Sequence, residues 1–293
     1  MRFGVLGPLA VWTDDGDQVT VPGVKVRALL AALLVHGGRA ASVDRLVEDV
    51  WGDDAPANPA AALQVRVSQL RKALDDAEPG ARDLVVSRAP GYALETDAVD
   101  AARFAALVAR TQSAGADQDP HQRKNVLTEA LALWRGPALA DFADHEFART
   151  VAGRWEEQRL AALELLAEAR LELGEHTVVA AELAGPVAAH PFRERLRALH
   201  LRALYQAGRQ REALDSYEEF RRGLADELGL DPGPELAELH QAILEQDPGL
   251  APRPAVRRGR RRVTNLAEPP PLIGREEALA ELRELLARSG WSR

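Results

Sequence analysis

The sequence contains no cysteine, and this absence excludes disulfide bonds and every metal site that is built on thiolates. It also contains no apolar run long enough to span a membrane, and the opening segment MRFGVLGPLAVWTDD lacks the apolar stretch of a signal peptide. We therefore expect a cytoplasmic protein that does not contact a membrane.

A surplus of positive charge is missing as well. The formal net charge is −8, which argues against indiscriminate binding to nucleic acid. Lysine occurs only at positions 25, 72 and 124, so arginine supplies nearly all of the positive charge. Any contact with DNA must therefore come from a local patch. At 293 residues, the chain is long enough for two domains with full cores.

Sequence motifs of catalysis and metal binding are also missing. The seven histidines show no HExxH or other ligand spacing, and no serine lies in a GxSxG sequence. Carboxylates are abundant, but they follow the faces of predicted helices, as solvated side chains do. The sequence predicts no enzyme activity, no metal site and no bound cofactor in these residues.

The first part of the chain combines short strands with helices. Residues 2–12 are strand-like, and the alternation of QVTVP (18–22) predicts a second strand. A leucine-rich helix is predicted after Gly23, and Ser42 is the predicted N-cap of the helix VDRLVEDVWG. Two apolar runs within residues 83–96, on either side of an Ala-Pro-Gly sequence, predict a β-hairpin.

The most informative helix is predicted for NPAAALQVRVSQLRKALD, with Asn58 as N-cap and a proline next. One stripe is apolar, at the spacing of a helix that packs on a core. The other side has no carboxylate before Asp75, so it could enter a DNA major groove without repulsion. An ordinary solvated helix is the alternative. The stripe is Leu63, Val67, Leu70 and Leu74; the opposite face carries Ala61, Val65, Ser68, Gln69 and Lys72, flanked by Gln64 and Arg71 on one side and Arg66 on the other.

This order of elements resembles a winged helix-turn-helix of the OmpR/PhoB type with a β-strand platform ahead of it. Three segments carry the resemblance: Trp51-Gly52 at the end of the second helix, VRVSQLRKAL (65–74), and SRAPGYAL (87–94) in the wing. No phosphoacceptor receiver domain precedes these segments in the sequence. We therefore expect no aspartyl-phosphate switch here.

Alanine- and leucine-rich helices follow from Asp100 onward. Gly174 and Gly208 lie 34 residues apart, each between two predicted helices, and this is the tetratricopeptide (TPR) period. ALALWRGPALADF (130–142) and residues 196–244 resemble the bacterial transcriptional activation domain. With the winged helix, they resemble the Streptomyces antibiotic regulatory protein family. The predicted helices are 100–114, 121–134, 144–173, 175–189, 191–207, 209–228 and 234–246.

The predicted fold is therefore mainly α: a winged helix-turn-helix with an N-terminal β platform and a C-terminal hairpin, followed by an all-α TPR-like domain. The next segment, residues 247–271, is rich in proline and contains the run RRGRRR, so it resembles an extended linker. PLIGREEAL then resembles the start of the NB-ARC nucleotide-binding domain of larger family members, although no GxxxxGK[ST] loop follows. We favour a truncated larger regulator over a natural short form, and expect ATP only in a longer form. The predicted domains are 1–97 (DNA-binding), 98–246 (activation), 247–271 (linker) and 272–293 (start of the nucleotide-binding domain).

Candidate DNA contacts follow from the exposed face of the third helix. Gln69 and Ser68 point most directly away from the apolar stripe, so we expect them to meet base edges, and Val65 could meet a thymine methyl group. The candidates on this helix are Gln64, Val65, Arg66, Ser68, Gln69, Arg71 and Lys72.

The arginines are assigned differently. Arg66 and Arg71 are expected to contact phosphates first and bases second, with a surface ion pair to Asp75 or Asp76 as the alternative. Arg88 in the wing resembles the arginine that family members insert into the minor groove, where narrow A·T tracts deepen the negative potential. Its alternative is an exposed turn residue.

Two further candidate pairs lie outside that helix. Lys25 and Arg27, at the start of the first helix, are placed where a phosphate could meet a helix N-terminus. Asp53 and Asp54 lie in the loop that tends to face RNA polymerase in OmpR-type activators. We expect them to approach basic residues of the sigma factor rather than DNA, which would repel them.

The resemblance as a whole implies a transcription activator. Two protomers would bind side by side on a direct repeat of promoter DNA and recruit RNA polymerase, with control of antibiotic or other secondary-metabolite genes. The alternative function is a regulatory TPR-type protein-interaction arm of a STAND ATPase.

Overall fold

The computed structural model describes residues 1–113 and 119–251. The predicted nucleotide-binding segment and most of the predicted linker lie outside these residues. No helix in the described part of the chain combines the length and the apolarity that crossing a bilayer requires.

The N-terminal platform is a two-stranded antiparallel hairpin, formed by β1 (Arg2–Gly4) and β2 (Ala10–Trp12). The prediction of a second strand at residues 18–22 was wrong. Gly7 adopts a φ of 147°, and the chain reverses there, so the first strand-like run folds back on itself. Gln18 then forms only an isolated bridge to Trp12.

Three helices follow, and their starts confirm the predicted caps. The Ser42 hydroxyl oxygen accepts a hydrogen bond from the Arg45 amide at 3.2 Å, and the Asn58 side-chain oxygen accepts one from the Ala61 amide at 3.2 Å. Such caps satisfy amides that have no partner within the helix. The helices are α1 (Val24–Val35), α2 (Val43–Trp51) and α3 (Pro59–Ala77).

The wing is the predicted hairpin of β4 (Val85–Arg88) and β5 (Gly91–Leu94). A short strand that the sequence did not predict, β3 (Ala41–Ser42), pairs with β5, so the strand order is β3-β5-β4. Gly91 makes this pairing possible, because a Cβ atom at this position would collide with the Ala41 carbonyl oxygen. The third strand ties the wing to the segment that precedes α2.

An all-α region completes the described chain, as predicted. Consecutive helices pack against each other from α4 to α10. The helices are α4 (Asp100–Ser113), α5 (Pro120–Leu131), α6 (Glu146–Glu172), α7 (His176–Ala189), α8 (Glu194–Gln206), α9 (Gln210–Leu228) and α10 (Pro234–Leu244).

The 34-residue repeat is visible in the hydrogen bonds of two turns. Gly174, with a φ of 80°, donates to the Leu171 carbonyl; Gly208, with a φ of 77°, donates to the Tyr205 carbonyl. In each turn the glycine is therefore the residue that adopts the left-handed conformation. The turns between α6 and α7 and between α8 and α9 are equivalent, which confirms the TPR-like interpretation.

The described residues contain two hydrophobic cores. The first core extends from Met1 to Leu166 and includes the winged helix together with α4, α5 and part of α6. The second core extends from Leu160 to Ile243 and includes the rest of α6 with α7 to α10. The predicted domain boundary after residue 97 thus falls inside the first core, and the boundary itself stays a prediction.

Polar contacts also join the platform to the helical region. The Asp100 carboxylate accepts hydrogen bonds from the Val5 and Leu6 amides at 2.8 and 3.1 Å. The Arg135 amide donates to the Leu6 carbonyl at 2.8 Å, and its guanidinium donates to the Pro8 carbonyl at 2.8 Å. These bonds satisfy the backbone between β1 and β2 with groups that lie more than ninety residues further along the chain.

Candidate DNA-binding interface

The outer side of α3 presents a polar face to solvent. Leu63, Val67, Leu70 and Leu74 are buried as predicted, and they fix the rotation of the helix on the first core. Val65 is 51% exposed, although it is apolar. We call the exposed set the reading face; it consists of Gln64, Val65, Ser68, Gln69 and Lys72.

Arg66 lies beside this face and is half-buried. Its guanidinium donates to the Gln69 side-chain oxygen at 2.8 Å, so it forms neither of the predicted ion pairs with Asp75 or Asp76. The bond leaves the Gln69 side-chain amide group as the free donor. Arg66 therefore orients one of the two residues that were predicted to meet base edges.

Arg71 has a role that the sequence did not predict. Its Nε and one terminal nitrogen donate to the Val85 carbonyl at 2.9 and 2.7 Å, and the same terminal nitrogen lies 3.1 Å from the Ser87 hydroxyl oxygen. The predicted alternative, a surface pair with Asp75 or Asp76, is not formed, because the wing strand lies closer. Arg71 joins α3 to β4, so it fixes the position of the wing relative to the reading face.

Arg88 stands at the end of β4 with its side chain 56% exposed. It pairs with Glu95, which follows β5, and the two side chains form an ion pair on the surface of the wing. An exposed ion pair of this kind contributes little to stability. DNA can therefore replace Glu95 as the partner of Arg88 at a small cost in free energy.

Lys25 and Arg27 both have protein partners in the structure. The Lys25 ammonium donates to the Val50 carbonyl at 2.8 Å, near the end of α2. Arg27 pairs with Asp141 at 2.5 Å, and this carboxylate also accepts from the Leu9 amide. The predicted contact of both residues with a phosphate stays a prediction, and no pattern in the sequence indicated the counter-ion that the helical region supplies to Arg27.

A groove of about 910 Å³ runs between α3 and the segment that leads into α1. The structure brings four of the predicted DNA contacts to this one groove, from two separate helices. No signal in the sequence placed Lys25 next to α3, because the two lie in elements separated by α2. The four are Lys25, Arg66, Gln69 and Lys72.

Asp53 and Asp54 are exposed on a short helical turn after α2. They line a second cleft, of about 630 Å³, which we call the acidic cleft. The sequence did not predict that Asp144 and Glu146 of the helical region line the same cleft. The acidic residues that line this cleft outnumber the basic ones. The lining acids are Asp44, Glu48, Asp49, Asp53, Asp54, Asp144 and Glu146, and the lining bases are Lys25, Arg45 and Arg149.

His145 lies in the acidic cleft and is half-buried. Burial, assisted by the nearby Lys25 charge, lowers the pKa of His145 below its ordinary value. The imidazole is therefore neutral at pH 7 and adds no positive charge to the cleft. Within the described residues, no group of three or more histidine, aspartate or glutamate side chains is placed to hold a metal ion.

Comparison with protein families gives two matches that together cover most of the chain. Residues 18–94 match the family described as transcriptional regulatory protein, C terminal, which includes α1 to β5. Residues 99–244 match the bacterial transcriptional activator domain, which includes α4 to α10. Residues 95–98 separate the two matches, and the second match begins one residue before α4.

Individual relatives extend over both matches. The chain is 43% identical over 254 residues to the regulatory protein AfsR of Streptomyces coelicolor, covering 86% of this chain and 25% of AfsR. It is 39% identical to the transcriptional regulator RedD of the same organism, covering 85% of this chain and 72% of RedD. The chain thus spans about a quarter of AfsR but most of RedD.

A solved structure has the same fold. Mycobacterium tuberculosis EmbR, in complex with a low affinity phosphopeptide, superposes with a TM-score of 0.78 at 36% sequence identity. The match covers 87% of this chain and 66% of the EmbR chain.

Proposed function

The chain belongs to the Streptomyces antibiotic regulatory protein family of transcription regulators, and from this premise we propose that it activates transcription by binding promoter DNA through α3 and the wing. One observation supports this most directly. The apolar stripe of α3 is fully used by the first core, so the reading face remains free beside the exposed wing. A helix with this exposure suits the major groove, and a hairpin beside it suits the adjacent minor groove.

In this proposal, some residues read the DNA sequence and others bind the DNA backbone. Gln69, with its donor group free, and Ser68 read base edges, while Val65 meets a thymine methyl group. Phosphate oxygens are bound by Gln64, Lys72 and the basic groups of the groove beside α3. Arg88 enters the minor groove after leaving Glu95.

Arg71 is a positioning residue in this proposal. Its guanidinium is already bound to the Val85 carbonyl, so it acts on DNA through the wing and not by direct contact. Two protomers lie side by side on a direct repeat, in the cytoplasm, and the protein acts by recruitment without catalysing a reaction or using a bound cofactor. Antibiotic or other secondary-metabolite genes are the proposed targets.

The acidic cleft is the proposed contact for RNA polymerase. Asp53 and Asp54 are exposed, and Asp144 and Glu146 extend the negative surface onto the helical region. Basic residues of the sigma factor complement this charge. Reversal of both aspartates to lysine should abolish activation in transcription with purified polymerase and leave DNA binding intact. Unchanged activation would contradict the contact.

DNA binding is tested with a direct repeat that the protein itself selects from a random pool. Gln69→Ala should weaken binding to this site by about tenfold to a hundredfold and leave non-specific binding nearly unchanged, because a base contact contributes about 1–3 kcal/mol. Arg88→Ala should weaken binding most at sites whose minor groove beside the wing is narrow and A·T-rich, because the cation that enters this groove is removed. Arg211→Ala, on a guanidinium that is 93% exposed in α9, is the matched control.

Arg71→Met gives a distinct signature. Specific binding should weaken because the wing loses its anchor, while the salt slope stays near that of the wild type, since no phosphate contact is removed. If neither Gln69→Ala nor Arg88→Ala weakens binding to the selected site, the proposed interface is wrong.

A further inference from the structure

A groove of about 750 Å³ lies in the second half of the helical region, far along the chain from the proposed DNA contacts. One wall is apolar and comes from α7 and the turn after it; the other comes from the polar side of α9. Its size is within the range of small-molecule sites, which combine apolar walls with a few polar groups. The apolar wall consists of Ala180, Ala181, Ala184, Val187, Ala188 and Pro191.

Arg197 of α8 lines this groove and is only 6% exposed. One terminal nitrogen lies 2.9 Å from the Ser216 hydroxyl oxygen, and the guanidinium carbon lies 5.5 Å from the Phe220 ring centroid. Among the described residues no carboxylate pairs with it, and its Nε has no hydrogen-bond partner. Burial lowers the pKa of Arg197, although the charge of Glu219 opposes this shift.

A buried ion pair elsewhere in this region shows which kind of partner Arg197 lacks. Glu164 of α6 is 3% exposed, and Arg193 donates to it at 2.5 Å, with Arg195 close by. A buried charge is ordinarily compensated in this way, because an unpaired one costs several kcal/mol of stability. The hydrogen-bond partner of Arg197 is neutral, and the carboxylate whose charge acts on it, Glu219, is exposed and forms no ion pair with it, so the buried positive charge is available to an anion.

His200 lies one turn after Arg197, lines the same groove and is 9% exposed. Its Nε2 lies 3.2 Å from the Ala180 carbonyl oxygen, which can only accept, so Nε2 carries the proton. Nδ1 is then an acceptor, and it has no partner among the described residues. Burial lowers the pKa of His200, so the ring is neutral at pH 7. The wall of α8 therefore supplies one cation and one neutral acceptor.

The rim of the groove limits the charge of a ligand. Glu212 and Glu219 lie there, as does Asp215, and Glu212 is paired with Arg209 at 2.5 Å. Glu219 is exposed and makes no ion pair in the described chain. These carboxylates repel multiply charged anions more strongly than singly charged ones.

We propose that this groove binds a small organic carboxylate with an apolar body, its carboxylate compensating Arg197 and its body lying along the alanine-rich wall of α7. The single negative charge meets the buried guanidinium, which neutral ligands cannot compensate. The proposal does not depend on DNA binding. Because such a ligand would contact α7, α8 and α9 at once, it would stabilise the second core.

Octanoate is a suitable probe, with octanamide as its uncharged match. In nuclear magnetic resonance titrations of the isotopically labelled full chain, octanoate should shift the signals of residues that line the groove. Octanamide should bind at least about tenfold more weakly, and inorganic phosphate should not compete, because the rim repels a dianion. Equal binding of octanoate and octanamide, shifts elsewhere only, or no shifts would overturn the proposal.

Arg197→Met removes the charge and keeps most of the side-chain volume. Octanoate binding should weaken by at least about tenfold, which is 1.4 kcal/mol. Arg202→Met is the matched control, because Arg202 is an exposed arginine on the same helix. Arg197→Lys, which keeps the charge, should retain the preference for octanoate over octanamide, and it serves as the test if Arg197→Met does not fold.

A readout without ligand separates binding from a purely structural role. If Arg197 is an uncompensated charge, Arg197→Met should unfold at the same or a higher temperature than the wild type and should lose the stabilisation that octanoate provides. If Arg197 is present for its bond to Ser216, the variant should unfold at a lower temperature and keep the response to octanoate. The second result would overturn the proposal.

Discussion

The first core joins segments that are distant in the sequence, whereas the second core joins neighbours. In the first core, the backbone around Leu6 is satisfied by Asp100 and by Arg135. In the second core, each of α7, α8 and α9 packs mainly on the helix next to it in the chain. The winged helix therefore cannot unfold without disturbing its contacts with α4 and α5. The packing between neighbouring TPR-like helices, in contrast, can rearrange without involving the winged helix.

Helix α6 contributes side chains to both cores. Trp155, Ala162 and Leu166 face the first core, while Leu160 and Ala167 face the second. Because α6 contributes to both cores, its position can couple a ligand bound in one core to the other core. The sequence motifs therefore place a boundary near residue 97, whereas the two hydrophobic cores meet within α6. These two boundaries do not coincide.

The largest test of this comparison uses one leucine from each core. Leu70 and Leu201 are both fully buried, and replacement of either by alanine should lower the free energy of unfolding of its own core by about 3 kcal/mol, from lost burial and the cavity left behind. Hydrogen exchange should locate each effect. Leu70→Ala should weaken the protection of α1, α2 and α4, and Leu201→Ala that of α8 and α9.

Each leucine variant is the control for the other. If both variants weaken protection evenly from α1 to α9, the two cores unfold as one cooperative unit and the comparison fails.

The sequence predicted most local features of both cores and few of the contacts that join them. Ser42 and Asn58 were recognised as caps, and Leu63 to Leu74 as a buried stripe, because capping and helical periodicity depend on residues close in sequence. The strand at residues 18–22 was wrong, since a period of two does not show which edge a strand can pair with.

The candidate site shows the same limit. The reading face of α3 followed from the burial of its opposite side. The partners of Arg71 and Arg27, in contrast, lie in β4 and in the helical region, and a sequence pattern gives no distance between such elements. The pairing of Arg27 with Asp141 spans 114 residues. Its charge and its place at the start of the first helix suggested a phosphate partner.

A smaller effect should follow from Arg135→Met, which tests the joint between the platform and the helical region. The variant loses the bond to the Pro8 carbonyl and the contact with Asp100, which together stabilise the first core by about 2 kcal/mol. Chemical denaturation monitored by protection of α1 and α4 should detect the loss, with the second core unaffected. Arg110→Met, on an exposed arginine of α4, should change neither core. If the Arg135→Met protein is as stable as Arg110→Met, the contacts of Arg135 do not stabilise the first core.

The two cores also contain buried ionisable groups that respond to pH with opposite signs. Burial raises the pKa of Asp100, although hydrogen bonds from the Val5 and Leu6 amides oppose the shift. A raised pKa for an acid means that its contribution is fully present below its unfolded pKa and is lost as pH rises through the folded value. Burial lowers the pKa of His200 in the second core. Its contribution is fully present above the unfolded pKa and is lost as pH falls.

The smallest expected effect is therefore a loss of stability in the second core as pH falls below about 6.5, where unfolded histidine binds a proton that buried His200 does not. One such group contributes at most about 1.4 kcal/mol per pH unit. His200→Gln keeps a donor for the Ala180 carbonyl and does not titrate, so its second core should lose less stability between pH 7 and pH 5. The remaining slope should come from His176 and His240, whose pKa values are also lowered by burial. Protection of α8, followed by hydrogen exchange at both pH values, measures the difference; equal losses in wild type and His200→Gln would show that His200 does not distinguish the second core from the first.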